Sequence, residues 1–409
     1  MASGFILANQ RGIAVSMDTM EASTSGEEYR GINRLFPLGR KHKVVAVSTG
    51  IDKFMNIPVE LLIQRFADQL GTQPLNKLTD YSSSFIAFLN SKQSGLGEQW
   101  YLRDNVRLIL ENLFNNYMQL QQASREQQSF EAVINQAVDK ICQQWQQSRQ
   151  NQPIFVLDRQ QFIEKYQQPI SAIINEWVKE YASYGNNTNG GVFAKQLLMP
   201  SQESAQGQRS VFSSIYPLLF EAIRTILTTD IRQNYASIYF VGLGGGEAFG
   251  SCQLVNLYGF LGRLLAKTGE VERIDQDHNQ LFKAVSTYTR QSVGAELLQQ
   301  GMAEVSFQQI ARIIADKGMQ LTDQQRVLRT VRQAMDNHTA GIRQTIVNLS
   351  PAELAQMSRT MVEANSFVAR YSFRNAGVGG DIETMTITFQ DGPVWVYRQA
   401  ALNEGGAKQ

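Results

Sequence analysis

Apolar residues in the first fifty positions come in short, closely spaced runs. Phe5–Ala8 leads into a polar turn at Asn9–Gly12, and Ile13–Val15 resumes before Asp18, which is the pattern of a β-hairpin. A polar segment, Ala22 to Arg30, precedes an apolar stretch from Ile32 to Leu38; a basic turn, Gly39 to Lys43, then leads to Val44–Gly50. Runs this close predict a sheet buried on at least one side. The period changes at Val59, where Val59, Leu62, Phe66 and Leu70 fall at near-helical spacing behind Pro58, a residue tolerated in a first helical turn. A second helix is predicted over Leu75–Leu89.

From Trp100 to Arg149 the pattern is helical, carried by Val106, Ile109, Leu110, Leu113, Phe114 and Tyr117, then by Phe130, Val133, Ile134, Val138 and Trp145. The opposite face is rich in glutamine (Gln119, Gln121, Gln122, Gln143). Regular apolar spacing predicts long helices with an uncharged solvent face in place of a low-complexity tract. Another helix is predicted over Phe162–Tyr181. The run Gly185–Gly191 carries the strongest loop signal in the chain. Ser201–Ser210 is a second weak stretch, before helical periodicity over Val211–Leu227.

Strand signals return at Ala236–Val241, with a partner around Gln253–Tyr258. Helical periodicity then covers His278–Leu298, Phe307–Lys317, Asp323–Ser350 and Pro351–Arg370. The turn at Gln390–Gly392 between Ile382–Phe389 and Val394–Tyr397 predicts a closing hairpin. The order divides the chain into a first core part (1–96), a helical, glutamine-rich insertion (97–235) and a second core part (236–409). A sheet core with helices on its faces accounts for it.

Composition narrows the chemistry. Lysine and arginine total 38 against 37 aspartates and glutamates, so the net charge is +1, which argues against a polybasic nucleic-acid binder. Cys142 and Cys252 form neither a disulfide framework nor a CxxC site, and His42, His278 and His338 lack zinc-site spacing. No metal and no cofactor is expected. The chain has no signal-peptide pattern and no run of 18 apolar residues, so the expectation is a cytoplasmic protein without a membrane partner. The cluster Gly242, Gly244, Gly245 and Gly246 matches neither GxGxxG nor a Walker loop, since Glu247 and Phe249 occupy the third fingerprint positions; a tight turn between strands is the reading. His42 is expected in a solvated turn, and His278 at a solvated helix start.

The ordered set Gly12–Asp18, Ile32–Leu35 and Val44–Gly50, followed by a helix, resembles the opening of proteasome β-subunits and HslV-type N-terminal-nucleophile hydrolases. Residues 236–258 and 362–397 resemble later parts of the same superfamily. The resemblance implies an α+β, four-layer αββα sandwich of two antiparallel sheets with helices outside, and a homo-oligomer that could form rings. In active members a leading threonine supplies hydroxyl and amine together, with a lysine and a buried aspartate beside it. Asp18 matches the aspartate. Gly31 stands where the lysine is expected, Arg30 is the nearest replacement, and Ser3 is the candidate hydroxyl in an opening that lacks threonine. The resemblance with these departures implies a noncatalytic structural or assembly subunit. The alternatives are a peptidase or amidohydrolase activated by processing to Ser3, and a scaffold binding a protein partner through residues 97–235.

Overall fold

The computed structural model describes residues 3–22, 28–123, 129–147, 158–185, 188–199, 210–228, 236–274, 282–286, 304–316, 320–372 and 379–398. Two compact units result. One comprises Met1–Ser94, Asn234–Leu257 and Lys267–Gln409, and the other Gly95–Gln233 with Tyr258–Ala266.

The first unit opens with strands β1 (Ser3–Asn9) and β2 (Gly12–Asp18), a small ribbon of β3 (Met20–Ala22) and β4 (Glu28–Arg30), then β5 (Leu35–Pro37) and β6 (Val44–Gly50). A second two-stranded ribbon, β7 (Lys53–Phe54) and β8 (Ile57–Pro58), precedes helices α1 (Val59–Leu70) and α2 (Leu78–Asn90). After the insertion come β9 (Ala236–Gly242), β10 (Ser251–Phe260), β11 (Leu264–Arg273) and β12 (Phe282–Ser286). Helices α8 (Glu304–Asp316), α9 (Leu321–Asn348) and α10 (Pro351–Ser372) follow, before β13 (Ile382–Thr388) and β14 (Gly392–Tyr397). One sheet runs β12-β1-β2-β13-β14 and the other β11-β10-β9-β6-β5.

Alternation along the strands builds the layers. Ile6, Val15, Met17, Met385 and Ile387 of the first sheet meet Leu35, Val45, Val47, Tyr239 and Val241 of the second in one buried cluster. Phe5, Leu7 and Ala14 face the other way, against Ile346 of α9 and Leu354, Ala355 and Val362 of α10. On the far side, Phe66 of α1 and Phe85 of α2 pack edge-on against Phe240 of β9, with centroids 6.4 and 5.6 Å apart. The unit is therefore an α+β, four-layer αββα sandwich of the N-terminal-nucleophile type, carrying a helical insertion.

Helix ends follow local chemistry. At the start of α10, Ser350 Oγ accepts from the Glu353 amide at 3.3 Å, while Glu353 Oε2 accepts from the Ser350 amide at 2.7 Å, a reciprocal capping box. Helix α1 ends at Gly71, whose φ of +68° suits glycine.

The second unit packs α3 (Glu98–Ala123), α4 (Phe130–Gln147), α5 (Arg159–Ser183), α6 (Asn189–Leu197) and α7 (Val211–Thr228), together with the tip of the β10–β11 hairpin. Its core is aromatic: Phe193 lies 5.2 Å from Phe114 and 4.9 Å from Tyr117, and buried Trp177 stacks on Tyr181 at 4.2 Å. Gly259 is required at the tip, because a Cβ there would lie 1.7 Å from the Tyr101 ring. Gln119, Gln121, Gln122 and Gln143 are exposed. Among the described residues α7 is long and apolar enough to cross a membrane, with mean hydropathy 1.3; half of it is buried within the protein.

Several expectations need correction. Within the predicted helix His278–Leu298, residues Phe282–Ser286 are β12, paired antiparallel with β1 from Leu7↔Phe282 to Ser3↔Ser286; the exposed edge of β1 offers backbone partners that helical periodicity does not register. The rest of that segment, His278 included, lies outside the described residues, as do residues 201–209 of the second weak stretch. The Gly185–Gly191 run is not all loop, since α6 begins at Asn189, with Thr188 Oγ1 accepting from the Gly191 amide at 3.1 Å. That cap offsets the glycines' poor helix propensity. Only Leu35–Pro37 of Ile32–Leu38 is strand, and part of the polar Ala22–Arg30 segment pairs as the β3–β4 ribbon.

Candidate functional site

Asp18 closes β2 on the face of the first sheet that α10 covers, and it is fully buried. Its two oxygens are claimed separately. Oδ1 accepts from the Ser3 amide at 2.9 Å and Oδ2 from the Gly379 amide at 2.9 Å. Burial pushes its carboxyl up from 3.8 to about 7, against the opposing pull of the Arg34 charge and of the two backbone donors.

Ser3 begins β1, with no exposed surface. Its hydroxyl oxygen accepts from Asn365 Nδ2 of α10 at 3.2 Å. Further along the outer face, Ser16 Oγ and Thr384 Oγ1 share a hydrogen bond of 2.9 Å. The segment supplying the Gly379 donor is anchored at Asp381, whose carbonyl accepts from both the amide and the hydroxyl of Thr19, at 3.0 and 2.9 Å. Gly380 has φ +77°, and a Cβ on it would come 2.9 Å from Thr19 Oγ1. Backbone conformation and lack of space both call for glycine here.

Arg34 is the arginine whose charge acts on Asp18. It is fully buried immediately before β5, and its Nη2 donates to the Met20 carbonyl at 3.0 Å. Arg30 lies in β4 opposite Met20, and Gly31 follows it with φ +83°. Ser3 and Asp18, two of the residues expected at the site, lie together, while the Arg30 side chain lies outside the described residues. Arg34, Asn365 and Gly379 were not expected there. The available signal for Arg34 was a lone charge at the border of the apolar run Leu35–Leu38, a position where the strand begins and its neighbours are buried.

Other residues singled out in the sequence turn out to be structural. Glu247 Oε2 accepts from the amides of Gly244 at 2.7 Å and Leu78 at 3.0 Å, so the glycine turn holds its own anion where a phosphate would otherwise sit. His42 is buried, unlike the solvated turn residue expected. Its Nε2 faces the Gly71 carbonyl at 3.0 Å and its Nδ1 faces the Tyr81 hydroxyl at 3.0 Å. A carbonyl cannot donate, so Nε2 carries a proton, and in the neutral ring Nδ1 then accepts from the Tyr81 hydroxyl. Cys252 is a buried core residue. Half-buried Cys142 has its thiol pushed up by burial, the opposite of an activated nucleophile. Among the described residues no three histidine, cysteine, aspartate or glutamate side chains converge as a metal site.

No family model matches the sequence, and no curated protein does. Among solved structures, a mutant of Anbu from Hyphomicrobium sp. strain MC1 is similar over 97% of this chain and 86% of that chain, at 9% identity and a TM-score of 0.28. A second Anbu structure from the same strain gives 97% and 87%, 10% identity and a TM-score of 0.27. These are remote structural likenesses, too distant to transfer the role of any residue. The fold stands on the sheet order and layer packing of the chain itself.

Proposed function

We propose that this chain is a noncatalytic, proteasome-like structural or assembly subunit that associates with copies of itself. The observation that carries the reading is the anchoring of both Asp18 oxygens by backbone donors. One of its oxygens is bound by the Ser3 backbone nitrogen, and the other by Gly379. The Ser3 nitrogen follows Ala2 as a peptide amide, and the delocalised lone pair of an amide is not a base for its own side chain's hydroxyl. The nearby cation is Arg34, a guanidinium that does not shed its proton and so cannot exchange one during turnover. The chemistry of an N-terminal nucleophile needs a free amine and an accessible hydroxyl on one residue, and Ser3 has its hydroxyl buried.

Incubating the purified protein with an electrophilic peptide, followed by intact-mass spectrometry and peptide mapping, tests the catalytic half. The expected result is no adduct and no peptide turnover. An adduct on Ser3 would replace this reading with the processed-serine hydrolase. Light scattering tests assembly, where a mass several times 46.0 kDa is expected and a strict monomer at micromolar concentration would overturn it. A protein partner held by the helical insertion is the second reading. It is favoured by Trp100, Leu198, Met199 and Leu218, each more than half exposed. A pull-down whose captured partner is unaffected by replacing all four with serine would remove it.

A further inference from the structure

Helix α10 covers the first sheet with Leu354, Ala355 and Val362 and turns its opposite face to solvent. Along most of that outer stripe the polar side chains are spent within the chain. Glu353 accepts from the amide and hydroxyl of Ser350, and Gln356 accepts from the Tyr397 hydroxyl at 2.9 Å. Thr360 donates to the Gln356 carbonyl at 3.0 Å, and Glu363 accepts from Arg359 Nε at 3.0 Å.

The end of the helix is different. Phe367 and Tyr371 are 64% and 72% exposed, and with Leu321 they are the most exposed large apolar side chains among the described residues. Their rings lie 4.9 Å apart, so they form one patch. Arg370 is exposed beside them, with no hydrogen-bond or ion-pair partner among the described residues. Two solvated aromatic rings with an unspent arginine are the composition of an interface centre, not of a surface that stays wet.

The patch is complementary to itself. Glu363 and Arg370 are seven positions apart, two helical turns, so both flank Phe367 on the same edge of the stripe. Inverting a second α10 against the first keeps like edges together. Each Arg370 then stands beside the Glu363 of the other helix, twice over by the two-fold axis, with the four rings between. A parallel pair in register would set like charges at the same height. Glu363 keeps its own Arg359, and a carboxylate has acceptor sites enough for a second guanidinium.

We propose that α10 pairs antiparallel with α10 of a second copy, through Phe367 and Tyr371 and two reciprocal Arg370–Glu363 contacts. The inference rests on the self-associating subunit proposed above and names the contact.

The test is sedimentation velocity of the full chain. A patch of this size makes a contact of the weaker class, so association is followed over about 1–100 µM. Glu363→Arg and Arg370→Glu each make both reciprocal contacts repulsive, and each alone should associate about tenfold or more weakly than wild type. Mixed in equal amounts, the two variants carry opposite charges at both contacts, so the mixture should regain wild-type association. Replacing Phe367 and Tyr371 together with serine should weaken association about tenfold or more, with unchanged circular dichroism because both side chains are exposed. Variants that associate like wild type, or a mixture no stronger than either variant alone, would overturn this contact while leaving self-association through another face. A wild-type chain that stays monomeric over the whole range would overturn both.

Discussion

The Ser3 amide donates to Asp18 Oδ1 at 2.9 Å across fifteen positions of chain, so the start of β1 is fastened to the end of β2 by a buried carboxylate. Because Gly379 holds the other oxygen, Asp18 joins three separate segments of the first unit at one point.

Asp18→Asn should therefore cost stability despite its near-identical shape. At pH 5 the native group is the neutral acid, whose hydroxyl oxygen still accepts; an amide nitrogen cannot, so in the variant one of the two backbone N–H groups is left facing an NH₂. We expect a loss of about 1–3 kcal/mol at pH 5, the range for stranding a buried donor. Urea unfolding followed by circular dichroism measures it; an unchanged midpoint would mean the two bonds contribute nothing.

The pH dependence has a definite sign. The Asp18 carboxyl sits near 3.8 when unfolded and about 7 when folded, so between those values the native state binds more protons. Its contribution to stability is greatest below about pH 4 and falls as pH rises through 7, with a limiting slope of about 1.4 kcal/mol per pH unit. Other groups titrate in that window too, so the informative quantity is the difference between wild type and Asp18→Asn. Their gap in stability should narrow from pH 5 to pH 8, and a gap that widens would contradict the raised carboxyl.

His42→Phe should destabilise the first unit by about 2 kcal/mol or more. It removes the donor to the Gly71 carbonyl and the acceptor for the Tyr81 hydroxyl, both in a buried setting. Combining it with Tyr81→Phe in a double-mutant cycle should show losses well short of additive. Strict additivity would show the pair to be independent.

Gly244→Ala tests the turn after β9. An added Cβ would lie 2.3 Å from the Asn76 carbonyl oxygen, which is backbone and cannot swing aside. We expect about 1–3 kcal/mol of destabilisation, read from thermal unfolding; wild-type stability would show that this turn adjusts freely.

In the helical unit, Thr188→Ala removes the cap of α6 and should cost about 1 kcal/mol. Amide exchange in Asn189–Leu197 should accelerate selectively. Uniform exchange throughout the unit would instead point to a global role for Thr188.

The sandwich was legible where strands announced themselves. Phe5–Ala8, Ile13–Val15, Val44–Gly50 and Ala236–Val241 are short apolar runs, and their pairing follows from burial on both faces. It was not legible at Phe282–Ser286, because an edge strand is fixed by its neighbour β1 and not by its own period. Asp18 could be found only through the resemblance, as the match to the superfamily's buried aspartate. The groups that close around it could not, because Asn365 reaches Ser3 across 362 positions and Gly379 reaches Asp18 across 361, and local sequence contains no trace of that approach. Arg34 failed for a different reason: a charged residue beside a buried strand reads as a solvated flank, whereas here the fold encloses it entirely.

Neither sheet can be completed from one side of the insertion. The first takes β1 and β2 from before it and β12, β13 and β14 from after it; the second takes β5 and β6 from before and β9, β10 and β11 from after. On the ribosome, the opening segment must therefore wait while about 140 residues of Gly95–Gln233 are made before β6 can meet β9. At common synthesis rates that interval is on the order of ten seconds. Throughout it, Val44–Val47 waits without its β9 partner. Once β9 arrives, the same division makes the finished protein a natural pair of complementing fragments, able to stay together after a cut inside the insertion.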